Sequence, residues 1–198
     1  ATRIVSWLKA DIDDFARACV QRAEGNPLFL EQLLRSRIAG VDGPLPHTLQ
    51  GVVLARLDGL PEADRRALQA TSILGQRFTA EAAAHLLGNA QYDDQLLIRR
   101  HLIKPEGEGY LFAHALIRDG VYASITKERR RSLHLSAAEY FKSLSPVLHA
   151  EHLDRAEDAA AALAYLTAAN TEASSYRLEQ AIAMTRRGLE IASRPADR

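Results

Sequence analysis

The chain has one cysteine, one methionine and one tryptophan in 198 residues, and aromatic residues make up only 6% of it. A lone Cys19 cannot close an intrachain disulfide, so a disulfide scaffold is excluded and a reducing cytoplasm is the expected compartment. Histidine and cysteine nowhere take the spacing of a structural zinc site. His149 and His152 stand three apart without a third ligand at readable spacing, and no metal is expected. Net charge is missing too: Lys plus Arg and Asp plus Glu number 25 each, which leaves no overall field favouring nucleic acid or an anionic membrane. No apolar run reaches the roughly 20 residues of a membrane-spanning helix, and Ala1-Thr-Arg-Ile-Val5 has none of the features of a signal peptide. A start at Ala1 instead of Met points to a piece of something longer.

What remains is a chain with 47% hydrophobic residues, enough for a real core in one large or two small domains. Its central junction is Tyr110 to Ala123. There, a short strand after the Pro105-Glu-Gly-Glu-Gly109 turn runs into a helix marked by Ile117, Val121, Tyr122 and Ile125. His114 falls at or near the start of that helix. Unpaired N–H groups and a partial positive charge there favour a bound phosphate, an imidazole adds a donor, and Arg118 lies four residues on along the same face. The plainer alternative is a capping or packing histidine beside a solvated arginine.

The pattern upstream is helical. Leu8, Ile12, Phe15, Cys19 and Val20 predict a helix from Ser6 to Ala23, stopped by Glu24-Gly25-Asn26-Pro27. A second helix follows with Phe29, Leu30, Leu33, Leu34 and Ile38 inward, and Gly40 to Pro46 reads as a linker. Three helices are expected between Thr48 and Gly88, with Pro61 in a first turn, Thr79 as an N-cap, and Gly75 and Gly88 as stops. A fourth runs from about Tyr92 to Ile103 into the hairpin. Downstream, a long helix opens at Lys127-Glu-Arg-Arg-Arg131 and is broken at Ser145-Pro146. Further helices are marked by Leu148 and Leu153, by Leu163, Leu166 and Ala169, and by Ile182, Leu189 and Ala192. The fold class is therefore mainly α with one small β-hairpin.

Gly25-Asn26-Pro27-Leu28-Phe29-Leu30-Glu31, Leu45-Pro46-His47-Thr48-Leu49 and Ala55-Arg56-Leu57-Asp58-Gly59-Leu60 carry a resemblance, continued in Ser72-Ile-Leu-Gly-Gln-Arg-Phe78, Phe112-Ala-His-Ala-Leu-Ile-Arg118 and Arg129-Arg130 with Leu133-His134. Together they resemble the region after the nucleotide-binding core in signal-transduction ATPases with numerous domains, the AAA-related ATPases found behind bacterial class III adenylate or guanylate cyclase domains, kinases and transcription activators. The resemblance implies a helical lid over residues 1–44, a winged-helix domain over 45–126 and a tetratricopeptide-like helical repeat region over 127–198. It implies that Pro27, with Gly25 and Asn26, packs against the adenine of ATP or ADP, and that His114 senses the phosphates. Arg118 matches the pattern as well. The expected partners are the protein's own upstream nucleotide-binding domain and proteins bound through the repeats.

The chain also lacks what an ATPase needs. It has no Gly-x-x-x-x-Gly-Lys-Ser/Thr loop and no apolar strand ending in a magnesium-holding Asp, so this part by itself is expected to be no enzyme and to hold nucleotide only together with the missing core. Two other functions compete with this one. In the first, a pure interaction scaffold, the carboxy-terminal helices bind a partner. In the second, a winged-helix DNA-binding module, Thr79 to Leu87 would enter the major groove. That helix carries no Arg or Lys to reach base edges, and Glu106 and Glu108 at the wing tip would be repelled by phosphates, so DNA binding is not expected.

Overall fold

The computed structural model describes residues 14–38, 48–89 and 92–193. In chain order the elements are α1 (Asp14–Ala23), α2 (Pro27–Ile38), α3 (Leu49–Asp58), α4 (Glu62–Ser72), β1 (Arg77–Thr79), α5 (Ala80–Leu87), α6 (Gln95–Arg99), β2 (Ile103–Glu106), β3 (Gly109–Phe112), α7 (Ala115–Ala123), α8 (Lys127–Phe141), α9 (Pro146–Arg155), α10 (Ala161–Ser174) and α11 (Leu178–Ala192). The fold is mainly α with a small β-hairpin, as the periodicity predicts. Among the described residues, no helix is long and apolar enough to cross a membrane. The start of the first predicted helix, the Gly40–Pro46 linker and the motif residues Leu45, Pro46 and His47 lie outside the described residues.

Two compact units divide the chain: the described residues up to Ser72 and from Asp93 to Ser124 form one, and those from Ile73 to Tyr92 and from Ile125 onward the other. In the first unit, Ala16, Cys19 and Ala23 of α1 bury against Phe29, Leu30, Leu33 and Leu34 of α2 and Val52 of α3. Thr48 caps α3 by accepting from the Gly51 N–H at 3.1 Å. Helices α3 and α7 approach closely at Gly120, where an added Cβ would stand 2.9 Å from Val53 Cγ1, so the contact requires glycine there. In the hairpin Ile103 is paired with Phe112 and Glu106 with Gly109, and Gly107, with φ +57, makes the reversal.

The predicted fourth helix is much shorter than expected. Only Gln95–Arg99 is helical, because His101 takes a left-handed φ of +51, and the chain bends at Leu102 into the strand that opens at Ile103, both side chains being buried. Pro61 sits one residue before α4 rather than within its first turn.

In the second unit the Thr79 cap, the Gly88 stop and the break at Ser145-Pro146 stand where the sequence puts them. The Thr79 hydroxyl accepts from the Ala82 N–H at 3.1 Å, Gly88 closes α5 at φ +62, and Ser145 precedes Pro146 at the start of α9. Helices α8 to α11 pack in chain order around Ala138, Ala150, Leu153, Ala161, Ala164, Tyr165 and Ala168. The leucines that mark the last two helices face outward, Leu163 being 70% and Leu189 61% exposed. Alanines and Gly188, with Tyr165, Met184 and Ile191, form the packing face instead. A Cβ at Gly188 would lie 3.0 Å from the Ala162 carbonyl oxygen, a separation that admits no larger residue without movement.

Candidate functional site

The Gly25-Asn26-Pro27 turn is built by backbone needs first. Glu24 at φ +47 and Gly25 at φ +84 reverse the chain after α1, and the Asn26 side chain accepts from the Phe29 N–H at 3.1 Å, capping α2. Pro27 then takes the first position of α2, where its missing N–H costs nothing. Its ring is exposed, as are Gly25 and Asn26. An open cleft lined by Gln21, Arg22, Glu24, Asn26 and Phe29 adjoins the turn. The motif thus both breaks the helix and presents a rigid, solvent-facing ring.

One turn into α2, Glu31 joins this turn to the other half of the candidate site. Its Oε1 accepts from Arg35 Nε at 2.9 Å, and its Oε2 lies 3.9 Å from Nε2 of His114. His114 is the N-cap residue of α7, with extended φ −148 and ψ 143. Its carbonyl accepts from Ile117 and Arg118, while its side chain caps nothing and turns toward α2. The imidazole is about a third exposed. Burial lowers its pKa, with further lowering from Lys104, Arg35 and Arg56, while Glu31 pulls the other way. At neutral pH it is an uncharged donor and acceptor.

Arg118 is held elsewhere. Its Nε donates to the Ser72 carbonyl at 3.0 Å, its Nη1 pairs with Asp119 at 2.9 Å, and its guanidinium stacks 5.0 Å from the centre of the Tyr122 ring. Gly25, Asn26, Pro27 and His114 are therefore linked through α2, whereas the Arg118 side chain secures α7 to the end of α4.

The sequence reading had no functional role for the group behind His114. Arg56 is 2% exposed in an otherwise apolar stretch of α3. Its guanidinium donates to the Gln32 side chain on α2 and to the Arg100 carbonyl after α6, while its Nε–H meets no acceptor. Burial, with Arg35 and Arg100 nearby, pushes its pKa down to about 10, so it stays charged at neutral pH. Its signals in the sequence are a lone arginine in Val52-Val-Leu-Ala-Arg56-Leu57 and its place in the Ala55 to Leu60 motif; its partners lie 24 and 44 residues away.

In the second unit, His149 donates its Nδ1–H to the Ala138 carbonyl at 2.8 Å, and the Nδ1 atoms of His152 and His134 are 2.9 Å apart. The two histidines singled out by spacing thus serve helix packing. Of the basic run, Lys127 pairs with Glu157 at 3.0 Å. Compared with known proteins, the chain matches no family model, no curated protein and no solved structure.

Proposed function

We propose that this chain is the regulatory part of a multidomain signalling ATPase, whose lid and winged-helix residues close over an adenine nucleotide held by a phosphate-binding core outside this sequence. Nucleotide exchange then releases the closed state and passes the change to an effector and to partners. Pro27 lies against the base and His114 near the phosphates. The observation that carries this reading is geometric: the residues assigned to base and phosphate sit in one compact unit, joined by one turn of α2 and the 3.9 Å approach of Glu31 to His114. A shift of a few kcal/mol between two states suffices for such a switch; moving from 1:99 to 99:1 takes about 5.5 kcal/mol of differential binding.

In the intact protein, His114→Ala is expected to weaken ADP binding about tenfold, the loss of one charge-assisted hydrogen bond. Isothermal titration of both proteins with ADP measures it. An ADP affinity and basal activity equal to the parent's would remove His114 from the mechanism.

The exposed apolar residues of the last helices favour a second reading, an interaction scaffold. Leu163, Leu178, Ile182 and Leu189 are each at least 59% exposed. Truncation after Pro146 should then abolish pull-down of a protein partner by the chain. A truncated chain that still brings the partner down would place the contact upstream and sink the scaffold reading.

A further inference from the structure

We infer that the Glu31 carboxylate occupies the seat of a phosphate group, and that an incoming phosphate ester binds by displacing it from His114. Glu31 touches Arg35 of α2 and approaches His114 at the start of α7, and Arg56 of α3, His101 beyond α6 and Lys104 of β2 belong to the same basic group. Arg35, Arg56 and Lys104 each act on both imidazoles, and Glu31 is the acid that acts on the same two. Its two oxygens are divided between the cations, Oε1 to Arg35 and Oε2 toward His114. One carboxylate against the three permanent positive charges of Arg35, Arg56 and Lys104 leaves the group with a surplus. The deeply buried Arg56 holds one of those charges in place, with an N–H that no acceptor meets.

A phosphate monoester answers that surplus better than a carboxylate. It carries close to two charges and three strong acceptor oxygens. Both anions cannot stand beside His114 together, since like charges at contact distance repel. Glu31 is then a built-in competitor that holds the cations together while the seat is vacant and sets a threshold for the ligand. The inference rests on the proposed nucleotide role only for the source of the phosphate, which is either a nucleotide or free phosphate.

The test is an NMR titration of the His114 imidazole in the chain as it stands, first with inorganic phosphate and then with ADP. The proteins compared are the parent, Glu31→Gln, and Glu81→Gln as a charge control on exposed α5. Glutamine still accepts from Arg35, so the fold is kept; circular dichroism checks this. Phosphate affinity is expected to rise about fivefold to tenfold in E31Q and to stay at the parent value in E81Q, with a lower His114 pKa in phosphate-free E31Q. Equal phosphate affinity in E31Q and parent, or no His114 response to millimolar phosphate in either, overturns the inference. If His114 answers ADP equally in both, the seat is wrong while the nucleotide role stands. A tighter phosphate site in E31Q that ignores ADP keeps the seat, and the nucleotide role then rests on the ADP titration of the intact protein, where the core holds the base.

Discussion

Replacing Arg56 with alanine is expected to destabilise the first unit by about 3 kcal/mol. The side chain is 2% exposed, and among the described residues it is the donor to Gln32, itself 1% exposed, and to the Arg100 carbonyl. Truncation leaves a buried amide oxygen and a partly buried carbonyl without a donor, each costing about 1–3 kcal/mol, and opens a void where the guanidinium lay. Part of that loss is returned, because a buried charge lacking a carboxylate hydrogen-bond partner is itself costly, and its pKa of about 10 records that cost. Removing both polar partners separates the two effects. Arg56→Met with Gln32→Leu should recover the part due to Gln32, about 1–2 kcal/mol, since apolar replacement of a buried polar pair is often near neutral, while the Arg100 carbonyl stays without its donor. Arg56→Lys should not recover, because an ammonium lacks the planar fork that reaches two acceptors on different elements. Urea unfolding of the four proteins reads all of this out. An R56A midpoint within error of the parent would mean that the guanidinium contributes nothing to the joint between α2, α3 and the turn after α6.

The same residue shows where sequence reading stops. Local punctuation was legible: Thr79 as a cap, Gly88 as a stop, the break at Ser145-Pro146 and His114 at a helix start all follow from backbone groups that must be satisfied within a few residues, whereas the caps at Thr48 and Ser145 went unread. The end of α6 was not. An apolar pair such as Leu102-Ile103 suits a helix or a strand equally, and the choice is made by pairing with Phe112 and the Ala113 N–H across the hairpin. Nor were the packing faces of α10 and α11. Leucine periodicity marks an apolar stripe, yet close approach selects the small stripe, Ala161, Ala164, Ala168 and Gly188, because backbones can come nearer there. The candidate site was half legible. The Pro27 turn and His114 are local features, whereas the basic group behind them depends on contacts between α2, α3 and the turn after α6 that no spacing announces.

Mild acid is expected to destabilise the second unit before its carboxylates are neutralised. His134 on α8 and His152 on α9 are both buried, with Nδ1 atoms 2.9 Å apart, so one ring must carry its proton on Nδ1 and the other must leave that nitrogen bare. Phe141 lies parallel over His152 with ring centres 5.5 Å apart, which seals that face. Burial above all, and then Arg155, pushes the His152 pKa down to about 4, against about 6.5 in an unfolded chain. A histidine whose folded pKa is depressed binds fewer protons folded than unfolded. Its contribution is therefore complete above pH 6.5, falls as pH drops through the window from 6.5 to 4, and is constant below that. The full loss amounts to about 3 kcal/mol, of which about 2 kcal/mol is gone by pH 5, before ordinary carboxylates titrate. Hydrogen exchange of the amides in α8 to α10, followed from pH 7 to 5, should show opening free energies falling by that amount after correction for intrinsic rates. His152→Gln lowers stability at pH 7 because the ring packing is lost, but it should flatten the slope between pH 6.5 and 5. A parent and variant with the same slope would assign the acid response to other groups and leave the histidine pair as packing alone.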